Sequence, residues 1–494
     1  MQIGFDPQLY MELQTKYIKE RIEKFNNKLY LEFGGKLFDD YHAARVLPGF
    51  ASDAKIKLLL ELKDITEIIF AISAADIEKN KIRADIGISY DMDVLRLIDN
   101  LSDLGLRINA VVITQYTDQV AALVFRNRLT ARGIKTYLHG LIKGYPYDVD
   151  AIVSEEGYGA NPYIETTRPL VVVTAPGPGS GKLATCLSQV YHEQKRGVEA
   201  GYAKFETFPI WNIPLKHPVN LAYEAATVDL RDFNAIDPYH LEAYGETTVN
   251  YNRDIEMFPV VKAVLQRVYG KDIYKSPTDM GVNMAGRAIV DDAVVRQAAQ
   301  QEIIRRYFKT RCEARQGLSD KESVERIEMI MQQLGLREED RAVVAPAREK
   351  AKQRGVTAIA FQLPNGRITT GRASELMSAA ASGLINAIKA LAGIEDSILL
   401  LSLVVLEPIV NMKKQVLNSK DSALTLSDVL IALSLCAATS PIVEMAIQKL
   451  PLLRGCEAHC SAMLPAAEED MLRRLGVNFT CDPAYTDNAL YQEN

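Results

Sequence analysis

A chain of 494 residues, 48% hydrophobic and 24% charged, has the make-up of a water-soluble globular protein and enough length for about three domains. Its 57 basic and 63 acidic residues leave a net charge of −6, so electrostatics gives no case for nucleic acid or a membrane as partner. Six scattered cysteines are too few for a disulfide framework, and 1–6 lead into charged sequence without a signal-peptide core, so a cytoplasmic protein is expected.

The first predicted element is an amphipathic helix over 8–25, with Leu9, Leu13, Tyr17, Ile18, Ile22 and Phe25 near helical spacing. An alternating strand, 29–33, ends in Gly34-Gly35-Lys36. Further strands are predicted at 67–72, 109–114, 134–138, 170–174 and 202–206, with helices between them, clearest at 92–104 and 118–131. Such alternation predicts an α/β fold with a doubly wound, mainly parallel sheet. From 207 to 253 the periodicity fails. Trp211, His217, His240 and four prolines sit there, and a long polar-aromatic segment of this kind is read as functional. A charge-rich helical stretch follows over 255–335. Beyond Arg341, strands flank Pro364-Asn365-Gly366 as a hairpin, followed by a small-residue helix at 373–392. The strongest apolar run, 398–406, is well short of the ~20 residues a membrane helix needs and is expected as a buried strand. A helix at 427–448 and a mixed tail complete the chain. Three regions are expected: an α/β phosphate- or nucleotide-binding domain at 1–254, a helical region at 255–338 and a C-terminal α/β domain at 339–494.

The chemistry is concentrated in Thr174-Ala175-Pro176-Gly177-Pro178-Gly179-Ser180-Gly181-Lys182-Leu183-Ala184-Thr185. Strand, glycine-rich turn, lysine and helix is the arrangement that surrounds a phosphate with backbone N–H donors. The pattern Gly-x-x-x-x-Gly-Lys-[Ser/Thr] matches only at Gly181 and Lys182. Pro176 replaces the first glycine, and Leu183 stands where a magnesium-binding hydroxyl would be. The physical design survives better than the pattern, since the amides of Gly177, Gly179, Ser180, Gly181, Lys182 and Leu183 remain as donors. A bound magnesium would draw its ligands from Ser180, Thr185 or an acidic residue such as Glu206 or Asp229. A second Gly-Lys turn, Gly34-Gly35-Lys36, closes the first strand. Ligands of open parallel sheets bind outside the carboxyl ends of the strands, so both turns point to one edge.

Cys456, His459 and Cys460, with Cys481 downstream, are soft-ligand residue types. One cluster falls short of the doubled spacing of structural zinc sites, and buried, inert side chains are the favoured reading. In 207–253, Asp229, Asp232, Asp237 and His240 are candidates for a catalytic or substrate-recognising set.

Leu31 to His42, Ala175 to Thr185, His240 to Gly245, Asn250 to Asp254 and Leu453 to His459 resemble strings specific to a family of bacterial proteins of this length. That family carries a domain-of-unknown-function label. The resemblance spans nearly the whole chain. It implies an α/β domain with a phosphate-loop-like turn, a helical insert and a separate C-terminal α/β domain, and it brings no reaction with it.

The expectation is a protein that binds ATP or another nucleotide, with magnesium, through Gly177, Gly179, Ser180, Gly181, Lys182, Leu183, Thr185, Gly34, Gly35 and Lys36. Phosphoryl or nucleotidyl transfer to a small molecule would use Lys182, with Asp229 or Asp232 as base or metal ligand. Two alternatives stay open. One is a non-catalytic module for a phosphorylated ligand; the other is a hydrolase or transferase acting through Cys456 and His459. The partner is a small phosphorylated ligand, and homo-oligomerisation stays open.

Overall fold

The computed structural model describes residues 3–35, 37–38, 40–83, 86–419 and 421–485, and the chain divides into two compact units between Ala299 and Gln300.

In the N-terminal unit seven strands share one sheet: Leu29–Phe33 (β1), Thr66–Ser73 (β2), Arg107–Tyr116 (β3), Lys135–Gly140 (β4), Leu170–Thr174 (β5), Gly201–Phe205 (β6) and Gly281–Val282 (β7). Their order is β7-β6-β1-β5-β2-β3-β4, and every neighbouring pair is parallel. Each residue of β1, β2 and β5 is buried. Strands covered on both faces read as continuous apolar runs, which is how β5 and the middle of β2 appear in the sequence, whereas β1 carries the buried Glu32.

The helices that matter to the site are Pro7–Lys24 (α1), Ala54–Glu61 (α2), Tyr90–Asp103 (α3), Val120–Ala131 (α4), Lys182–Lys195 (α5), Pro218–Ala226 (α6) and Asn252–Tyr269 (α7). Asp6 caps α1 by accepting from the amides of Gln8 and Leu9, and Pro7 supplies the pre-set first turn. The connection from β1 passes β5 to reach β2, while that from β5 passes β1 to reach β6. Right-handed crossovers in opposite directions place their helices on opposite faces. Accordingly α1 packs with α2, and α5 with α7. Where the directions diverge, at the carboxyl ends of β1 and β5, the sheet leaves a crevice.

The 207–253 stretch contains α6, a short helix Pro238–Tyr244, and a two-stranded ribbon pairing Asn234–Ile236 with Val249–Tyr251. Elements this short never complete enough periods to register in the sequence.

The helices of 255–338 fall to both units: α7 belongs to the first, Lys321–Leu334 (α9) to the second, and Asp292–Arg315 (α8) carries the boundary. The C-terminal unit continues with Val344–Arg354 (α10), Ala379–Ala392 (α11), Leu403–Asn411 (α12), Leu426–Ala437 (α13), Pro441–Ile447 (α14) and Ala466–Arg474 (α15). Its sheet runs β9-β8-β10-β11, from Ala358–Gln362 (β8), Ile368–Arg372 (β9), Glu457–Cys460 (β10) and Asn478–Cys481 (β11). The β8–β9 hairpin turns through Gly366 at φ +82°. Only β10 and β11 pair in parallel.

Two expectations fail here. The run 398–406 is no strand: Ser402 precedes α12, and a leucine-rich segment takes up helix readily. The helix over 427–448 is two helices, α13 and α14, with Pro441 opening the second because it cannot continue the first. Among the described residues no helix is long and apolar enough to cross a membrane.

The small residues of α11 serve close packing. A Cβ on Gly371 would stand 2.2 Å from the Gly383 amide nitrogen, and one on Gly383 would stand 2.3 Å from Ile359 Cγ2. Gly383→Val is therefore expected to lower stability by about 1–3 kcal/mol or more. Urea unfolding of the purified variant measures this, and an unchanged midpoint contradicts the packing account.

Candidate functional site

The loop after β5 turns through positive φ at Gly179 (+75°) and Gly181 (+82°) before α5 begins at Lys182. Glycine is required twice over. A Cβ on Gly177 would lie 2.3 Å from Tyr90 Oη, and one on Gly181 would lie 2.8 Å from Thr114 Oγ1. At Gly179 a Cβ would meet nothing within 4 Å, so this glycine faces open space. Three hydroxyls hold the loop's carbonyls inward. Ser180 Oγ donates to Gly177 O at 2.9 Å, Thr114 Oγ1 to Ser180 O at 2.8 Å, and Thr185 Oγ1 to Gly181 O at 2.9 Å.

The amides are left over. Among the described residues, none accepts from the backbone N–H of Gly177, Gly179, Ser180, Gly181, Lys182 or Leu183. Unsatisfied donors at the start of a helix, with its dipole behind them, favour an anion. Lys182 is half-buried and makes no ion pair with the described residues. Leu183 faces elsewhere: with Leu187, Tyr145, Tyr158, Met257 and Val261 it lines a small apolar cavity. Ser180 and Thr185 are fully buried, and their hydroxyls shape the loop.

The second turn is organised by a residue that sequence reading missed. Lys55 of α2 donates to Gly34 O at 3.2 Å and pairs with Asp40 at 3.2 Å. Gly34 N donates to Phe205 O at 3.1 Å, which removes that amide from any ligand. Gly35 takes φ +69°, and a Cβ there would stand 2.8 Å from Lys55 Nζ. Lys36 lies outside the described residues. Both turns occupy the same sheet edge, because β1 and β5 are adjacent and pair Glu32 with Val173.

A charged cluster borders the crevice. Tyr202, Lys204 and Glu206 share one face of β6 and its extension by the period of two. Lys204 Nζ lies 2.6 Å from Glu206 Oε1 and 2.7 Å from Asp254 Oδ1, at the start of α7. Tyr202 Oη donates to Glu32 Oε2 at 2.8 Å, and Glu32 is in register with Lys204. Burial pushes the Glu206 carboxyl up to about 8 against the pull of Lys204, and Asp254 adds to the rise. The Lys204 ammonium stays above its ordinary range despite burial, because Asp254 and Glu206 surround it. Both Glu32 and Lys182 act electrostatically on Cys186 of α5, which ties the cluster to the loop.

Of the two predicted carboxylates, only Asp232 joins this cluster. It pairs with Arg253 at 2.5 Å, while burial raises its carboxyl above the usual range and Asp254 and Lys204 act on it. Its Oδ1 is buried without a hydrogen-bond partner, as are Asn234 Oδ1 and Thr174 Oγ1. Asp229 is exposed on the turn Val228–Leu230. Asp237 is committed to capping: it accepts from the amides of Tyr239 and His240 and from Thr278 Oγ1.

In the C-terminal unit, strand alternation sets Glu457 and His459 on one face of β10 and Cys460 on the other. His459 is fully buried, with Nδ1 2.9 Å from Thr480 Oγ1 and its ring against Phe308. Burial pushes Cys456 up to about 11 and Cys460 up to about 12, so both thiols carry protons at neutral pH. The nucleophile and metal ligand of cysteine chemistry is the thiolate. No group of three or more metal-ligating side chains occurs among the described residues.

Comparison with known proteins agrees with this two-part architecture. Residues 3–335 match the family model described as Domain of unknown function DUF1846, N-terminal, and residues 339–491 match its C-terminal counterpart. A UPF0371 protein of Clostridium botulinum (strain Alaska E43 / Type E3) is 59% identical over 503 aligned positions, spanning 100% of both chains. Relatives carrying the same UPF0371 name in strains Eklund 17B / Type B and Langeland / NCTC 10281 / Type F are 58% identical over the same full span.

Proposed function

The chain belongs to the DUF1846 family, and on that footing we propose that it binds a phosphorylated small molecule, a nucleotide such as ATP foremost, in the 177–183 loop. Its reaction is transfer of a phosphoryl or nucleotidyl group to a small acceptor. The observation that carries this reading is the set of unsatisfied amides around Gly179, beside the carbonyls of Gly177, Ser180 and Gly181, which hydroxyls of the protein engage. Lys182 adds the charge that neutralises a phosphate oxygen. Such transfer is mostly positioning and charge stabilisation, which backbone donors and a lysine supply.

The acceptor belongs beside Lys204, Glu206, Asp232 and Asp254, where Asp232 Oδ1 is buried without a hydrogen-bond partner. Magnesium, the usual companion of a nucleotide, would screen the phosphate charge. Asp254 is the carboxylate beside the crevice suited to help hold it. Glu206 suits proton transfer, since a base titrating near 8 combines sufficient basicity with a populated charged form.

If Glu206 is the base, transfer speeds up as pH rises through about 8 and the carboxylate appears. Glu206→Gln is expected to abolish that pH dependence and to cost about 100-fold or more in rate, while ligand binding persists. A variant with an unaltered pH–rate profile removes Glu206 from the chemistry.

A second reading, a binding module without turnover, is favoured by Leu183, which replaces the hydroxyl that would hold magnesium. Calorimetric titration with ATP, GTP and pyrophosphate, with and without magnesium, tests the binding both readings share. Silence with all three at millimolar concentration ends the proposal. Product formation with magnesium and candidate acceptors then separates enzyme from module.

A further inference from the structure

The C-terminal unit carries an apolar surface that the transfer chemistry does not use. In α12 only Leu406 is buried, although Glu407 and Asn411 are the only polar residues of the helix. Val404 is 82% exposed and Leu403 65%, and Leu399 just before the helix is also 82% exposed. Val416 continues the surface beyond α12, and Ile431 and Leu435 stand one turn apart on the outer stripe of α13. The elements that carry them are neighbours, since α12 packs on α13 and α13 on α14. Lys413 is committed to Asp428 at 2.9 Å, while Glu407, one turn beyond Leu403, and Lys414 are exposed charges within the surface.

A helix this rich in apolar residues normally covers most of them against a neighbour. Soluble monomers seldom expose a contiguous apolar patch beyond about 300–600 Å². The exposed Leu, Ile, Val and Met side chains of 399–452 present on the order of 1,000 Å², more than the roughly 800 Å² each partner contributes to a standard interface.

We infer that this face is the interface between two copies of the chain, joined about a twofold axis that apposes the α12–α13 surface to itself. The apolar area is already that of a full interface, as in permanent homodimers, whose contacts resemble a core cut in half. Twofold pairing also closes the patch, leaving no apolar surface to recruit a third copy.

Light scattering coupled to gel filtration of the full chain, at micromolar concentrations, tests this. The expected mass is twice 54.9 kDa, falling to the single-chain mass for the double variant Val404→Glu/Leu435→Glu with an unchanged far-ultraviolet dichroism spectrum. A wild type that runs as a single chain overturns the inference, and so does a folded double variant that keeps the dimer mass. Should the variant not fold, hydrogen exchange of the wild type decides. Protection of 403–416 and 431–438 is expected to fall on dilution, and protection independent of concentration overturns the interface.

Discussion

Glu457→Gln is expected to destabilise the C-terminal unit by about 3–5 kcal/mol, the usual cost of stranding a buried charge. Arg341 is fully buried, and Glu457 is the carboxylate within ion-pair distance of it among the described residues. Its other partners, Thr480 Oγ1 and the carbonyls of Ala458 and Asn478, are neutral. Arg305, which contacts Glu457 at 3.0 Å, would keep Glu302 at 2.8 Å; Arg341 would keep no carboxylate. Although burial pushes the Glu457 carboxyl upward, Arg305 and Arg341 hold it below the usual carboxylate range. A carboxylate depressed in the folded state stabilises above its unfolded pKa, and that stability drains away as pH falls through the folded value. Wild type and Glu457→Gln should therefore differ fully at neutral pH and converge in acid. Denaturant titrations at several pH values measure the difference, and equal stability at neutral pH would refute the role given to Glu457.

Lys182→Ala is expected to weaken nucleotide binding by about 10- to 100-fold, because a hydrogen bond to a charged group contributes roughly 1.5–3 kcal/mol. The remaining amides of 177–183 should still hold a phosphate weakly. Lys182→Arg keeps the charge but lengthens the reach, so an intermediate affinity is expected. Since Lys182 makes no ion pair with the described residues, the fold should not suffer, and thermal unfolding of the variant should match wild type. Competition for a fluorescent ATP analogue reads the affinities. Identical affinity in wild type and Lys182→Ala would detach the lysine from the site.

The strands nearest the sheet centre were readable in advance: β5 and the middle of β2 appear as apolar runs because both faces are buried, and β1 through its alternation. The glycine-rich loop was readable too, since strand, turn and helix are contiguous in sequence. What could not be read was partnership across distance. Lys204 and Asp254 lie fifty positions apart, and nothing local marks either as the other's counter-ion. Lys55 occupies the turn after β1 by reaching from a different helix. Asp229 and Asp232 looked equivalent in sequence; the turn between them exposes one and buries the other. The run 398–406 misled for a physical reason as well. Apolar periodicity cannot tell a buried strand from a helix, and burial itself was inferred from composition that the chain leaves uncovered.

Tyr90 and Thr114 stand wedged beneath Gly177 and Gly181, so the shape of the 177–183 loop is set by neighbouring walls. A receptor cast in advance has no gate to open and little disorder to surrender on capture. For the proposed polyanionic ligand, encounter would then be a matter of diffusion and of the pull of the Lys182 ammonium. That pull fades as added salt shortens the Debye length, whereas the grip of the backbone donors persists.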